Sequence, residues 1–394
     1  MLILAASLVP CFAVVAQQFD VRVLAPVAQT PAAARFEPGT RATALAATGA
    51  AGGCSVTDTA TRNVHACRWS PTGVATDLGV LGTDIHSQVL GGNAAGDLVG
   101  VSFALGKRVT HGVLWRANGT VLALGDMEPV DINSAGVVAG SVNATGNVPA
   151  CTRAARWTAG ATVTLPVLGG GPSARAAAIN DDGWVAGCGI LADRSTTHAC
   201  VWTGTGAPVD LGTLGGTSSF ARSIQGNVVV GVADTPDLVP HACRWTLSTT
   251  GTVLQTEDLG MLPGAPGSSA EVIGSDGRVA GNSGDAAVLF TANGPVDLNA
   301  HIPAGSGWQL THVTSLGDGG RIVGRGRYHG IPRGFVLEPA SLPSDLNHDG
   351  VVDGTDLGIL LGSWGPCTCD ADINHDGTVD GTDIGLLLGS WTAS

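Results

Sequence analysis

Short apolar runs bounded by Gly, Asn or Asp recur along most of the chain, and at intervals one of them ends on an aromatic. These aromatics are Trp69, Trp115, Trp157, Trp202, Trp245, Phe290 and Phe335, spaced by 46, 42, 45, 43, 45 and 45 residues. Within each unit the same four phrases return. The first reads VATDLGVLG from Val74, PVDLGTLGG from Pro208 or PVDLNAHIP from Pro295, and the second reads VDIN from Val130 or AAIN from Ala177. The third follows a turn such as Asp181-Asp182-Gly183 or Ser275-Asp276-Gly277 and reads VVAG, WVAG or RVAG; the fourth is HACRW, HGVLW or HACVW. Each phrase is rich in Val, Ile, Leu or Thr, which predicts four short strands joined by tight turns.

A four-stranded sheet of about 44 residues cannot bury both faces alone, so successive copies must stack. Seven copies around an axis make a β-propeller, which leaves only short edges; an open right-handed solenoid is the other arrangement the period allows. The last unit ends at Gly334-Phe335-Val336-Leu337 without a first-phrase strand, whereas the chain opens with a lone Phe19-Asp20-Val21-Arg22-Val23-Leu24. That strand is expected to complete the last blade.

The pattern changes at the C-terminal end, where two copies of one twenty-residue phrase match at 16 of 20 positions, DLNHDGVVDGTDLGILLGSW from Asp345 and DINHDGTVDGTDIGLLLGSW from Asp372. Leu357, Leu360, Leu361 and Trp364, and again Ile384, Leu387, Leu388 and Trp391, recur at helical spacing and predict two short amphipathic helices packed on each other. Before each helix, Asp or Asn stands at loop positions 1, 3, 5, 9 and 12, a set of oxygen donors suited to one hard cation. The first set is Asp345, Asn347, Asp349, the Val351 carbonyl, Asp353 and Asp356. The second is Asp372, Asn374, Asp376, the Thr378 carbonyl, Asp380 and Asp383. Gly350 and Gly377 fall at position 6, where the backbone turns sharply. Position 12 is Asp where Glu is usual, a shorter arm.

This tandem loop-helix arrangement resembles the dockerin module, an EF-hand-like calcium module over 340–394. The resemblance implies two calcium ions and a cohesin-like or other surface partner. It also marks Gly354, Thr355, Gly381 and Thr382, at loop positions 10 and 11, as partner-selecting residues. Residues 344–394 contain no Lys or Arg, and Gly-Pro-Cys-Thr-Cys stands at 365–369. Both features set the module nearer to the Gly- and Cys-marked dockerins of bacterial surface proteins than to cellulosomal ones.

Charge changes the picture only locally. The formal net charge is −13, and nine of the negative charges are the Asp residues of 344–394. Without a basic surplus, nucleic-acid binding has no electrostatic footing. Residues 1–16 form an apolar run ending in Val14-Val15-Ala16, read as a secretory signal cleaved before Gln17, with a buried first strand as the alternative. No other segment reaches the length of a membrane span. The expected division is thus a signal at 1–16, a β-propeller at 17–339 and a calcium module at 340–394.

Eight cysteines remain after such a cleavage, an even number that suits an oxidising compartment. Cys54 precedes Cys67 by 13 residues and Cys188 precedes Cys200 by 12, in similar places of two units. Both pairs are expected as within-hairpin disulfides, each stabilising by about 3 kcal/mol. Cys151 and Cys243 have no evident partner, and Cys367 and Cys369 stand too close to pair with each other.

The phrases DLGTLGGTSSFARSI at 210–224 and HACRW or HACVW resemble the HAF repeats of extracellular bacterial proteins. This likeness covers about 18–338 and implies a secreted propeller-like body without an assigned activity.

Catalytic signals are sparse. His65, His111, His198 and His241 each stand four residues before an anchoring Trp and invite a metal reading. They fall on different units, however, which favours a structural hydrogen bond. The recurring Asp77, Asp210, Asp258 and Asp297 point the same way, to turns or inter-blade bonds. There is no G-x-S-x-G elbow, no H-E-x-x-H and no phosphate loop. Trp184, Trp308 and the segment Arg321 to His329 break the repeat; Trp308 and Tyr328 either stack on a sugar or pack in the core. The expectation is a secreted, non-catalytic propeller that binds a partner and is attached through the calcium module. The alternative is a dockerin-borne polysaccharide-binding or polysaccharide-degrading protein, a glycoside hydrolase with a carbohydrate ligand.

Overall fold

The computed structural model describes residues 19–24, 40–45, 50–58, 63–104, 110–143, 152–339, 343–347 and 352–391. The signal expected at 1–16 lies outside them. The chain divides into two compact units, one carrying Val21–Ala300 and Ala304–Leu337, the other including the segment from Glu338 onward. No helix among the described residues is long and apolar enough to cross a membrane.

Seven four-stranded sheets form the blades of a β-propeller. Blade one is Thr40–Leu45, Ala51–Asp58, Asn63–Trp69 and Ala75–Asp77, side by side in that order. Blades two to six repeat the order over 86–123, 128–164, 174–212, 219–260 and 268–297. The seventh takes three strands from Trp308–Leu316, Ile322–Tyr328 and Ile331–Pro339, and its fourth is Phe19–Val23 beside Ile331–Pro339. The opening strand therefore completes the last blade. The first strand of every blade lies beside the first strand of the next, and Trp308–Leu316 lies beside Thr40–Leu45. These contacts close a ring and exclude the open solenoid.

Burial follows from the stacking, because the apolar clusters straddle neighbouring blades. Ala44 and Ala66 of blade one pack with Val89, Leu98, Val113 and Trp115 of blade two. Ala178, Ala199 and Leu211 of blade four pack with Ile224, Val229 and Trp245 of blade five. Leu24, Val323 and Val336 of blade seven share a cluster with Ala51, Cys67 and Trp69 of blade one. The anchoring aromatics stand at one register position, opposite the start of the second strand: Ala51 faces Trp69, Val185 faces Trp202 and Val229 faces Trp245. Phe335 departs from the expected series. It faces Gly324, and Leu337 takes the anchoring place opposite Ile322. The aromatic has moved two residues along its strand and stays on the same face.

The glycine of the V-x-G phrase has a steric cause. In every blade the first strand bulges opposite this phrase, leaving Thr43, Leu90, Val130, Ala177, Arg222, Glu271 and Thr314 unpaired. A β-bulge leaves one residue unpaired and bends the strand locally. A Cβ on Gly100, Gly187, Gly231 or Gly281 would come closer than 3.0 Å to the carbonyl oxygens of Gln88, Arg175, Phe220 and Ser269. That oxygen is backbone and cannot swing aside.

The second unit holds two helices, α1 (Gly354–Gly362) and α2 (Gly381–Gly389), and a two-stranded ribbon of Gly365–Pro366 and Thr378–Val379. Its core is Val352, Leu360, Ala371, Val379 and Leu387, with Leu357 and Ile384 partly buried against it. Half of each predicted apolar stripe is exposed. Leu361, Trp364, Leu388 and Trp391 keep 42–55% of their surface accessible, as a module this small has too little interior for all of them.

Gly231→Ala is expected to destabilise the propeller by about 1–3 kcal/mol through the enforced shift of the first strand. Gly206→Ala, which meets no atom within 4 Å, should stay within about 0.5 kcal/mol. Urea denaturation of both variants measures the contrast.

Candidate functional site

The two acidic loops are built on helix N-termini. Loop positions 9 and 12 coincide with the N-cap and third residue of each helix, so D-G-T-D forms a capping box. Asp353 accepts from the Thr355 N–H at 2.7 Å, and Asp356 accepts from the Asp353 N–H at 2.8 Å. The other oxygen of Asp356 reaches back to the loop start, accepting from Leu346 and Asn347 N–H at 2.8 and 3.2 Å. Asp380 and Asp383 repeat this arrangement with Thr382, Ile373 and Asn374. These backbone bonds, with that from Asp380 the largest, hold the Asp383 carboxyl below its usual range.

The rest of the second loop is closed by its own side chains. Asp372 accepts from the N–H groups of Asp376 and Gly377 at 3.1 and 2.8 Å. Asn374 donates to Asp376 at 2.8 Å, and Gly377 takes φ 91° at the turn. Asp376 accepts from the Thr378 N–H at 3.0 Å. In the first loop, Asp349, Gly350 and Val351 lie outside the described residues. Positions 1 and 12 of both loops, Asp345, Asp356, Asp372 and Asp383, are buried. Among the described residues no three His, Cys, Asp or Glu side chains gather into a metal-holding cluster. Gly354, Thr355, Gly381 and Thr382 are exposed in the first turns of the helices.

The recurring His and Asp of the blades pair with each other. His65, His198 and His241 on the third strand contact Asp77, Asp210 and Asp258 on the fourth strand of the same blade, at 2.8–3.0 Å. His111 instead pairs with Asp84 at 2.8 Å. Asp77, Asp210 and Asp258 also accept from the N–H of Gly79, Gly212 and Gly260 in the turn that follows. The carbonyls of those glycines accept from Ser87, Ser219 and Ser268 of the next blade at 2.5–2.6 Å. Each of these serines accepts in turn from the N–H of Ala66, Ala199 or Ala242, the residue after the histidine, at 2.8–2.9 Å. The H-A, D-L-G and Ser phrases are therefore one hydrogen-bonded joint between neighbouring blades. The serines carry the inter-blade step, and sequence reasoning passed over them. Their signal was a Ser nine or ten residues after each recurring Asp.

A second joint uses the V-D-I-N phrase. Asn93, Asn133 and Asn180 donate to the carbonyls of Asn133, Asn180 and Gly226, one blade onward each time, at 2.7–3.0 Å. Asp131 accepts from the Ile132 N–H and, across to the next blade, from the Ile179 N–H at 2.9 and 3.0 Å. Its accessible surface leaves it half-buried, but packed inner strands surround it, and that burial raises its carboxyl to about 7 against those two N–H bonds.

Two expectations about cysteine are corrected. Cys54, Cys67, Cys188 and Cys200 are not joined in disulfides. Cys67 pairs in register with Gly53, and Cys200 with Gly187, while Cys54 and Cys188 pair with Ala66 and Ala199. Residues one register step apart project from opposite faces of the sheet, so neither pair of sulfurs can meet. Burial pushes the thiols of Cys67, Cys188 and Cys200 up and that of Cys243 to about 12, which leaves them un-ionised and poor nucleophiles. Cys367 and Cys369, expected to be too close, are bonded across a Cα separation of 5.4 Å. Trp308 packs on Tyr328 and edge-on to Phe335, with centroids at 5.2 and 5.8 Å. Trp184 packs between blades four and five.

No protein-family model and no curated protein matches the chain. Among solved structures, an oligogalacturonate lyase in complex with manganese aligns over 83% of this chain and 97% of its own, with TM-score 0.51 and 13% identity. TolB from Acinetobacter baumannii aligns over 54% of this chain and 52% of its own, with TM-score 0.37 and 14% identity. A gluconolactonase from Xanthomonas campestris aligns over 84% and 93%, with TM-score 0.39 and 11% identity. The chain thus spans about half the length of TolB. The lyase likeness places the chain among seven-bladed β-propellers; it concerns fold alone.

Ser219→Ala strands the buried Ala199 N–H and should cost about 1–3 kcal/mol. His198→Ala, which removes an exposed pair, should cost at most about 1 kcal/mol. Thermal unfolding of the two variants separates them. A carboxyl raised in the fold above its unfolded value of about 3.9 keeps a proton that the unfolded chain has lost. Asp131 therefore subtracts stability as pH rises from about 4 to about 7. Asp131→Asn should flatten the slope of stability with pH in that window, measured by urea midpoints across it.

Proposed function

We propose that the chain is a secreted, non-catalytic propeller that binds a partner or ligand and is attached to a surface through a calcium-dependent, dockerin-like module. The observation that carries the attachment is electrostatic. Asp345, Asp356, Asp372 and Asp383 are buried at 0–7% exposure within a segment, 344–394, that has no Lys or Arg. Buried carboxylates without a counter-charge are costly. Backbone N–H groups occupy part of their acceptor capacity, but a carboxylate offers about four lone-pair sites, and N–H bonds leave the net charge in place. The donor set fits a hard, oxygen-seeking cation. The residues that would hold it are Asp345, Asn347, Asp349, Val351, Asp353 and Asp356, and their counterparts Asp372, Asn374, Asp376, Thr378, Asp380 and Asp383. Calcium would supply a positive charge that no Lys or Arg of 344–394 provides.

The partner surface is apolar and duplicated. Ile359, Leu361 and Trp364 are exposed at and just beyond α1, and Leu386, Leu388 and Trp391 at and just beyond α2, beside Gly354, Thr355, Gly381 and Thr382. Matched exposed apolar sets on two helices suit a cohesin-like domain. The non-catalytic reading draws on the blades, where the recurring His and Asp residues serve joints between strands.

Chelation is expected to unfold the module and leave the propeller folded, since about 50 residues bury too little core without the metal. Limited proteolysis of the full chain should then cut within 344–391 in EDTA and be blocked by calcium at about 10⁻³ M. Asp372→Ala with Asp383→Ala should reproduce the EDTA pattern. An identical digest with and without chelator would overturn the calcium reading, and surface-fraction capture unaffected by truncation at 343 would overturn the attachment.

A further inference from the structure

The seven bulge residues on the inner strands are uncharged in five blades; Arg222 in blade five and Glu271 in blade six are the exceptions. Repeat symmetry is thus broken by charge at one sector of the ring. That sector, from blade five to blade seven, borders a cavity of about 620 Å³, a size that suits small-molecule ligands. Arg222 and Glu271 approach to 3.8 Å and offset each other, and Glu271 also accepts from Ser269 at 2.6 Å. Arg325 and His312, directly opposed in register, line the same cavity with Asn282.

These last three are uncommitted. Among the described residues the Arg325 guanidinium makes no hydrogen bond or ion pair, and it is exposed. The His312 Nδ1 is buried without a partner, and burial, then Arg325, lowers that imidazole's pKa. A neutral ring is thus left to exchange hydrogen bonds. His312 and Arg325 also border a second cavity of about 310 Å³, where Arg327 and Arg333 outnumber Asp285, so the surroundings of Arg325 remain positive.

We propose that this cavity is a binding site for a small hydroxylated monocarboxylate, with the Arg325 fork on the carboxylate and the His312 ring and Asn282 amide on hydroxyl groups. A planar guanidinium matches a carboxylate in two parallel hydrogen bonds. The site lies wholly within the propeller blades, so it stands or falls apart from the calcium module.

The test is a titration of the full chain, followed by NMR or calorimetry, with glucuronate, glucose, acetate and inorganic phosphate as probes. Glucuronate should bind most tightly, acetate more weakly and glucose not at all. Arg325→Gln should weaken glucuronate by about tenfold or more, and Arg325→Lys should restore only part of that loss. Because Arg325 is exposed and unpaired, both variants should melt with the parent. No response to glucuronate at tens of millimolar, equal response to glucose, tighter binding of phosphate, or unchanged affinity in Arg325→Gln would each overturn the assignment.

Discussion

No blade of this propeller can bury its own faces, and the structure depends on each finding cover against its neighbours. The apolar clusters are shared by adjacent blades, so a chain of seven units needs its ends joined before the first and last are covered. Phe19–Val23 makes that join by entering the seventh sheet. The inner strand of every blade bulges, and the second strand carries glycine where it passes the bulge.

Directional bonds complete what burial begins. Each serine joint ties three phrases of one blade to the next, and the asparagine series does the same from blade two to blade five. This explains residues that resemble catalytic groups. A His beside an Asp suggests general-base chemistry when read in isolation, but here three such pairs recur at one place in the repeat and the same carboxylates cap the following turns. Chemistry is better sought where the repeat fails, as at Arg222, Glu271, His312 and Arg325.

The C-terminal module presents two overlapping uses of one motif. Asp at positions 9 and 12 caps a helix by hydrogen bonding alone. The same positions, with Asp372 and Asp376, constitute an oxygen-donor set. A capping box needs only its two acidic residues, however, and does not by itself account for the burial of Asp345 and Asp372 in a segment, 344–394, whose sequence holds no Lys or Arg.

By itself the sequence determined the number of blades, their four strands, the strand that closes the last blade and the two helices. These depend on period and turn chemistry, which are local and repeat, seven times in the blades and twice in the helices. It also marked the His, Asp and Gly of each phrase, though not what they meet. The tertiary structure alone decided that Ser219 bridges blades, that Leu337 rather than Phe335 anchors the last blade, and that Cys54 and Cys67 face apart. Each of these depends on register, and a shift of one residue moves a side chain to the other face. The cavity beside Arg325 was hidden for a related reason: its residues come from three consecutive blades and lie far apart in the chain, so only the stacking of those blades brings them together.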